Sequence, residues 1–266
     1  MTNYIFDNAA ERETAQRFAS LQSLYDPITT RHLAATGLAP GWRCWEIGGG
    51  SGSIGLWLSG SVGSEGHVLM TDIDPRFLAE RGGGNLEVRR HDVGLDPLPD
   101  APFDLIHTRL VLIHVPQREA TISRLVEALK PGGWLVVEDY DTMIIDRALS
   151  CANAHDAETV RRCFGALRSL MELRGMDLSW GRSLYTRLVG AGLANVEADA
   201  HFEFRRGGST GARLDKANLC QVREQLLDQQ LITSEELDRL LQLLDEPDFV
   251  VASPVMFSAR GQRRST

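Results

Sequence analysis

The stretch WEIGGGSGSIG, residues 45–55, places five glycines among eleven residues directly after a short apolar run. Glycine adopts left-handed backbone conformations without a steric penalty and lets a ligand approach the main chain closely. Two patterns overlap in this stretch. Residues 50–55, GSGSIG, fit the G-x-G-x-x-G turn that receives a dinucleotide, whereas residues 46–52, EIGGGSG, place an acid before three alternate glycines.

The charge of the ligand separates the two patterns. A pyrophosphate is held by the amides at a helix N-terminus, and a neighbouring carboxylate is unfavourable for such an anion. The second pattern resembles the first motif of class I S-adenosylmethionine-dependent methyltransferases, whose cofactor carries a sulfonium and an ammonium and is attracted by the same carboxylate. Glu46 therefore favours a sulfonium cofactor. The dinucleotide pattern would also begin only at Gly50, so Gly48 and Gly49 would be an unexplained spacer between the strand and the turn.

The composition limits the partners. With 266 residues, of which 43% are hydrophobic, the chain can bury a full core as one large domain with additions. The formal net charge of −8 argues against a nucleic-acid partner, which needs clustered Lys and Arg. The four cysteines have neither C-x-x-C spacing nor a His at metal-ligand spacing, so neither a metal site nor a disulfide framework is expected. Without a signal-peptide pattern or an apolar run of about 20 residues, a cytoplasmic protein with no membrane partner is expected.

Short apolar runs alternate with helical patterns from Gly41 onward. This alternation predicts an α/β fold with a doubly wound, mostly parallel sheet covered on both faces. Asp74 followed by Pro75 is typical of a helix start, and residues 131–133, PGG, end a helix before the fifth strand. The predicted strands are residues 42–47, 67–72, 86–91, 104–107 and 134–138.

Helical segments flank this predicted core. Apolar residues at helical spacing predict two N-terminal cap helices, one from Asn8 to about Leu24 and another from Asp26-Pro27 to Thr36. Residues 144–175 predict one or two helices, which we interpret as a lid over the carboxyl edge of the sheet. The predicted parts are the cap at 1–40, the cofactor-binding core at 41–143, the lid insertion at 144–180 and the C-terminal part at 181–266.

The C-terminal part is predicted to complete the sheet. A helix over residues 182–189 leads to a strand over 196–204, and a last strand covers 249–259. A second helical insertion over residues 207–247 separates these strands, and the segment from Thr233 to Glu236 is its capping signal.

The later motifs give the sequence a family resemblance. Asp72 follows Gly52 by 20 residues, at a strand end where a carboxylate can bind ribose hydroxyls. Three segments then resemble, in order, the third to fifth motifs of class I S-adenosylmethionine-dependent methyltransferases: RHDVG (90–94), FDLIHTRLVLIHVP (103–116) and LKPGGWLVVED (129–139). Residues of about 40–140 are similar to a ubiquinone-biosynthesis-type small-molecule methyltransferase domain. The resemblance implies a Rossmann-like seven-stranded sheet, S-adenosylmethionine as cofactor and S-adenosylhomocysteine as product.

The same resemblance assigns cofactor-binding residues. In the family the acid and the alternate glycines form the cofactor turn, and the acid after the second strand binds ribose. The following apolar residue packs on adenine, the third-motif acid meets the adenine amino group, and the chain beyond the fourth strand lines the methionine part. The matching positions are Glu46, Gly48, Gly50, Gly52, Asp72, Ile73, Asp92 with Val93, and Thr108 with Arg109. From the residues alone, Asp92 can also be a solvated loop acid and Arg109 a partner in a surface salt bridge.

The expected chemistry is displacement at a sulfonium methyl group, which needs a nucleophile in line with the breaking bond. A base is required only when the acceptor starts protonated. His107 and His114 lie at or just beyond the end of the fourth strand and are the candidate catalytic bases, although His114 also suits a packed position before the helix that Pro116 starts.

The acceptor class follows by elimination. The fourth motif has neither the Asn or Asp before Pro-Pro of amino-methylating nucleic-acid enzymes nor a cysteine nucleophile for pyrimidine carbon. We therefore expect methylation of an oxygen or nitrogen of a small organic molecule, such as a secondary metabolite, and a homodimer is compatible with the sequence. Two alternatives stay open: a nicotinamide-dependent oxidoreductase that uses residues 50–55, and a catalytically silent nucleoside-binding relative that acts as a partner subunit.

Overall fold

The computed structural model describes residues 11–78, 81–100, 102–148, 150–151 and 153–265. The described residues form two compact units. The sheet unit comprises Tyr25–Asp139, Trp180–Ala200 and the chain from Phe257 onward. The helical unit comprises Tyr140–Ser179, His201–Met256 and the described residues that precede Tyr25.

Strands and helices alternate through the sheet unit, as the sequence predicts, and the helical unit contains further helices and two short strands. The strands are β1 (Arg43–Ile47), β2 (His67–Asp72), β3 (Leu86–Arg90), β4 (Phe103–Arg109), β5 (Leu129–Asp141), β6 (Ala194–His201), β7 (Phe204–Arg206), β8 (Val250–Ala252) and β9 (Val255–Gln262). The helices are α1 (Glu11–Ala34), α2 (Ser53–Val62), α3 (Arg118–Ala128), α4 (Ala154–Leu173), α5 (Leu184–Gly190), α6 (Thr210–Gln221), α7 (Arg223–Asp228) and α8 (Ser234–Leu243). Single turns of 3-10 helix lie at Pro75–Phe77, Leu112–His114 and Gly181–Ser183.

The central sheet has seven strands in the order β3-β2-β1-β4-β5-β9-β6. β1 pairs in parallel with β2 and with β4, and the parallel pairing continues from β2 to β3 and from β4 to β5. The predicted doubly wound, mostly parallel sheet is therefore confirmed. The strand order reverses at β1, and open α/β sheets bind ligands outside the carboxyl ends of the strands at such a point.

An apolar cluster on one face of the sheet holds the strands in place. β1, β2 and β4 are buried along almost their whole length, as expected for parallel strands covered on both faces. Each buried leucine-sized side chain contributes about 1.5–3 kcal/mol, so the cluster fixes the strand ends from which the polar residues project. Its members are Leu33, Cys44, Ile54, Leu58, Val62, Val68, Met70, Leu78, Leu86, Leu105 and Val136.

The N-terminal cap differs from the prediction of two helices. α1 runs without interruption through Pro27, and the predicted start at Asn8 lies outside the described residues. The predicted break at Asp26-Pro27 is wrong because tertiary contacts hold this part of the helix. The side chains of Asp26 and Thr29 bond to Arg109, and the hydroxyl of Thr30 donates to the Asp26 carbonyl at 2.8 Å.

The C-terminal strands also differ from the prediction. The expected single strand over residues 249–259 is divided into β8 and β9 by Ser253 and Pro254. Proline has no amide hydrogen for a sheet ladder, and the chain changes sheet at this point. β8 pairs with β7 in a separate two-stranded antiparallel sheet, and the predicted strand over 196–204 is likewise divided into β6 and β7.

The helical unit contains the predicted insertions as shorter helices. The segment predicted as helical from residue 144 begins its helix only at α4, whose cap Asn153 accepts the Asp156 amide at 2.8 Å. The predicted capping signal at α8 is confirmed as a reciprocal box between Thr233 and Glu236. The four-part division at residues 40, 143 and 180 stays a prediction. None of the described helices is long and apolar enough to cross a membrane.

A buried ion cluster connects segments of the helical unit that are far apart in the sequence. Asp215 accepts hydrogen bonds from Arg147 at 2.5 Å and from Arg205 at 3.1 Å. The guanidinium of Arg147 lies 3.7 Å from the centre of the Phe164 ring. Because the three charged residues are buried, loss of one partner would leave an uncompensated charge in the interior.

Candidate functional site

The glycine turn between β1 and α2 has left-handed backbone conformations at alternate positions. Gly48, Gly50 and Gly52 have φ angles of 72°, 56° and 90°. A side chain strains such a conformation, which explains why this pattern needs three alternate glycines. The turn is anchored to the end of β2, because the amides of Gly48 and Gly49 donate to the Thr71 carbonyl at 2.8 and 3.0 Å.

Two glycines of the turn are also required by packing inside the chain. A Cβ atom at Gly48 would lie 2.2 Å from Cγ2 of Val111, and one at Gly49 would lie 2.5 Å from Cγ of Met70. Both distances are shorter than any ordinary van der Waals contact. Packing within the chain therefore favours glycine at these two positions whether or not a ligand is present, and the ligand argument depends on Gly50 and Gly52.

Asp72 lies where the resemblance places the ribose-binding acid, at the end of β2 next to the turn. Its Oδ2 accepts the amide of Gly50 at 3.0 Å and its Oδ1 accepts the amide of Asp74 at 3.0 Å. Burial raises the pKa of Asp72, and these backbone hydrogen bonds partly offset the rise. Asp74 itself caps the 3-10 turn that begins at Pro75, as predicted, and Ile73 is half-buried beside Asp72.

The third motif forms a tight polar turn after β3. Oδ1 of Asp92 accepts the amide of Gly94 at 2.9 Å, and the amide of Asp92 donates to Asp96 at 2.8 Å. Val93 is buried next to this turn. The carboxylate of Asp92 is thus oriented by the backbone, and its assignment to the adenine amino group stays a prediction.

Thr108 supplies a polar atom at the end of β4. The residue is fully buried, and among the described residues its hydroxyl has no hydrogen-bond partner. Thr108 pairs in register with Ile47, the residue that precedes the glycine turn. Buried hydroxyl groups are nearly always hydrogen-bonded, so this one fits a polar ligand group or an ordered water beside the turn.

Arg109 forms the ion pair that the sequence left open as an alternative. Its guanidinium donates to Asp26 at 2.9 Å and to the hydroxyl of Thr29 at 2.8 Å. Both partners lie on α1. The side chain of Arg109 therefore joins the cap helix to the end of β4, while its role beside the methionine part of the cofactor stays a prediction.

His107 is the centre of a buried charged cluster. Its Nδ1 lies 2.5 Å from Oε2 of Glu46 and its Nε2 lies 3.3 Å from Oε2 of Glu138. Burial alone would lower the pKa of His107, but the two carboxylates outweigh it and raise that pKa to about 9. Burial alone would raise the pKa of Glu138, yet His107, Arg109 and Ser258 lower it to about 2. The pKa of Glu46 is raised by burial, an effect that His107 partly offsets.

His114 has a different environment. It ends the 3-10 turn Leu112–His114 and is half-buried. The loop before it is fixed to β5, because the amide of Leu110 donates to the Glu138 carbonyl at 2.8 Å and the amide of Ile113 donates to Asp139 at 3.1 Å. Leu110 has a φ of 57°, a conformation that costs a branched side chain about 1–3 kcal/mol and is concentrated at functional sites.

Sequence reasoning did not find the partners of this charged cluster. Glu138 lies in the apolar run of β5, and a carboxylate in such a run is the signal that could have identified it. The sequence pattern predicts a break between two helices at Asp26 and places Thr29 within the second helix. Ser258, whose hydroxyl donates to Glu138 at 2.6 Å, carries no recognisable signal in the sequence.

The sheet order and this site define the class of the domain. The parallel order β3-β2-β1-β4-β5 within a seven-stranded sheet, the acid-led glycine turn after β1 and the acid at the end of β2 are the arrangement typical of class I S-adenosylmethionine-dependent methyltransferase domains. Comparison with known families agrees: residues 45–135 match the family model described as a methyltransferase domain.

Two curated relatives illustrate the similarity. Methyltransferase str2 of Strobilurus tenacellus is 33% identical over 172 residues, which are 63% of this chain and 60% of that protein. The ubiquinone/menaquinone biosynthesis C-methyltransferase UbiE of Vibrio campbellii (strain ATCC BAA-1116) is 31% identical over 122 residues, or 43% of this chain and 47% of that protein. The chain thus spans about half to three fifths of the length of these relatives.

A solved structure extends the likeness of the fold. The phosphoethanolamine N-methyltransferase 2 of Haemonchus contortus, in complex with phosphomonomethylethanolamine and S-adenosylhomocysteine, has a TM-score of 0.59 at 14% identity. The match covers 100% of this chain and 61% of that chain.

Proposed function

We propose that the protein transfers a methyl group from S-adenosylmethionine to an oxygen or nitrogen of a small organic molecule. The observation that carries the proposal is the glycine turn whose Gly50 amide is bonded to Asp72. In this arrangement glycines without side chains, in left-handed backbone conformations, lie next to a carboxylate at the carboxyl edge of the sheet. A nucleoside with ribose hydroxyls fits such a position.

The residues present fit a cationic nucleoside. Glu46 and Asp72 are carboxylates at the ends of neighbouring strands, and the hydroxyl of Thr108, which has no hydrogen-bond partner within the described part of the chain, adds a buried polar atom at the same edge. When bound, S-adenosylmethionine supplies an electrophilic methyl group. The contribution of the chain is to bind the nucleoside, orient it and exclude water from the reacting atoms.

The environments of the two histidines favour His114 over His107 as the base for a protonated acceptor. His107 is fully buried, and its pKa of about 9 keeps it protonated at neutral pH, so it cannot accept a proton there. His114 is half-buried and follows the loop that β5 holds in place. A carboxylate or amine acceptor that is already deprotonated would need neither histidine.

The small-molecule acceptor is supported by the charge and by the relatives. A net charge of −8 disfavours long polyanionic substrates. One relative is a C-methyltransferase of ubiquinone and menaquinone biosynthesis, and the Haemonchus structure contains phosphomonomethylethanolamine. Methylation of carbon is therefore the competing outcome for the acceptor atom.

Two measurements test the proposal. Isothermal titration calorimetry should show binding of S-adenosylhomocysteine and none of NAD(H), and a preference for NAD(H) would replace the methyltransferase with the oxidoreductase alternative. Transfer of a radioactive methyl group should then label small molecules from a metabolite extract. Labelling of DNA, RNA or protein instead would contradict the acceptor class, and cofactor binding without any transfer would favour the silent relative.

A further inference from the structure

Three ionisable side chains lie side by side on one face of β1, β4 and β5. In register Glu46 pairs with His107, and Glu138 pairs with Arg109, two residues beyond His107 on β4. Glu46, His107 and Glu138 are 3%, 0% and 1% exposed. A neutral imidazole donates from only one nitrogen, so contact of both nitrogens with carboxylates favours the imidazolium.

Other elements packed against this cluster complete its charges and hydrogen bonds. Thr29 of α1 and Ser258 of β9 donate to Glu138. The charged and titratable groups that face the cluster are Arg109 on β4, Asp26 and His32 on α1, and, in contact with His32, Asp199 on β6 and Arg260 on β9. Glu138 therefore has hydrogen-bond partners on α1, β4 and β9, whereas the Glu46 carboxylate is held by His107.

Removal of the imidazolium would change the end of β1. Glu46 would remain as a buried carboxylate without its closest cation, which is strongly unfavourable. Such a carboxylate would take up a proton or turn away, and either change moves it relative to the glycine turn that starts two residues later. His107 therefore controls both the charge and the orientation of Glu46.

We propose that His107 is a positioning residue: it holds the Glu46 carboxylate in a fixed orientation for the cofactor turn, while Glu138 balances the charge of the imidazolium. This inference rests on the proposed function, because Glu46 needs a fixed orientation only if a cationic nucleoside binds at the turn. A group oriented in advance needs no reorganisation when the ligand arrives. In this role His107 keeps its proton, unlike a general base.

Affinity for S-adenosylhomocysteine is the first test. His107→Gln should weaken binding, measured by calorimetry at pH 7, by about tenfold or more, since it removes a hydrogen bond to a charged group. His67→Gln is the matched control because His67 lies at the opposite end of β2 with a side chain 35% exposed. That control should bind like the wild type.

The pH dependence of the same affinity is the second test. In the wild type the affinity should be constant between about pH 6 and 8 and should fall as the pH passes about 9, where His107 loses its proton. Glu138→Gln removes one of the two carboxylates that raise the pKa of His107, so the fall should begin at lower pH. A merely structural role of Glu138 would change the stability and leave the midpoint of this profile unmoved.

The outcomes separate the inference from the proposed function. Wild-type affinity in a His107→Gln variant that is folded by circular dichroism overturns the inference. If that variant does not fold, an unmoved midpoint in Glu138→Gln overturns it instead. A wild-type protein that binds no S-adenosylhomocysteine overturns the proposed function and the inference with it, whereas wild-type binding with unaffected variants overturns the inference alone.

Discussion

The amide of Gly50 donates a hydrogen bond to Oδ2 of Asp72 at 3.0 Å, so one carboxylate holds both the glycine turn and the end of β2. The other oxygen of Asp72 accepts the amide of Asp74 at 3.0 Å. Each carboxylate oxygen can accept more than one hydrogen bond. Ribose hydroxyls would therefore meet acceptors that the backbone has already oriented.

Asp72→Ala should weaken binding of S-adenosylhomocysteine by a factor of about 10 to 100, because a charge-assisted hydrogen bond contributes about 1.5–3 kcal/mol. Asp72→Asn, which keeps the shape but not the charge, should be intermediate. The control is Asp74→Ala, which removes the cap of the 3-10 turn and the ion pair with Arg76 but keeps the backbone amide that Asp72 accepts, and it should bind normally. Calorimetry of the three variants checks the order, and normal binding by Asp72→Ala would contradict the ribose assignment.

Gly50→Val should abolish cofactor binding, because a β-branched side chain occupies the space of the ligand and strains a φ of 56°. The strain should also lower the free energy of unfolding by about 1–2 kcal/mol. Gly60→Val is the control: Gly60 lies inside α2, and its Cβ would meet nothing within 4 Å. Thermal melts must show that both variants are folded, and a folded Gly50→Val that binds normally would make the turn purely structural.

Gly48→Ala should destabilise the fold by about 2 kcal/mol or more, through a left-handed φ and a clash with Val111. Because the clash involves one methyl group of Val111, Gly48→Ala combined with Val111→Ala should cost less than the sum of the single variants. A coupling energy of about 1 kcal/mol in urea unfolding is expected for such neighbours. Strict additivity would show that Val111 moves away without cost and that only the backbone needs glycine.

The sequence was sufficient for the features that depend on local chemistry. The acid-led glycine turn and the capping box at Thr233 each combine a special backbone conformation with a residue type that suits it, and Asp72 places a carboxylate at a strand end. The parallel core could also be predicted, because strands buried on both faces appear as continuous apolar runs.

The partners of the charged cluster could not be predicted, because they depend on long-range register. Glu46 and His107 are adjacent only after β1 and β4 have paired, and Asp26 and Thr29 reach Arg109 only if α1 continues through Pro27. Local signals favoured a break at Pro27, and contacts with the sheet override them. The division of the last strand had a local cause, Pro254, but the partner of β8 is again a distant segment.

The stability of the sheet unit should fall as the pH rises from about 6.5 to 9. A group whose pKa is higher in the folded than in the unfolded protein stabilises the fold below its unfolded value and loses this effect as the pH passes its folded value. His107 behaves in this way, with a folded pKa of about 9 against an ordinary value of 6.5. Glu138, whose pKa is about 2, stabilises the fold above its ordinary value and loses this effect only in acid.

Urea unfolding of the wild type across this range checks the direction. His107→Gln should remove most of the dependence between pH 6.5 and 9, whereas His67→Gln should keep it. An unchanged slope in His107→Gln would mean that other groups titrate in this window and that the imidazole of His107 is not charged in the fold.

Thr71 and Thr108 are both buried threonines near the ends of β2 and β4, the two strands that flank β1, but only Thr71 has a hydrogen-bond partner in the described protein. Thr71 accepts the indole N–H of Trp45 at 2.9 Å, so Thr71→Val leaves a buried donor unsatisfied and should cost about 1–3 kcal/mol of stability. Thr108→Val removes a hydroxyl that has no partner among the residues the structure describes, and it should change the stability by about 1 kcal/mol or less. If that hydroxyl binds the cofactor, Thr108→Val should instead weaken S-adenosylhomocysteine by about 2- to 10-fold, the value of one ordinary hydrogen bond. Urea unfolding and calorimetry of Thr71→Val and Thr108→Val distinguish a role in stability from a role in cofactor binding. Normal binding together with a large loss of stability in Thr108→Val would place the hydroxyl in the protein core rather than at the site.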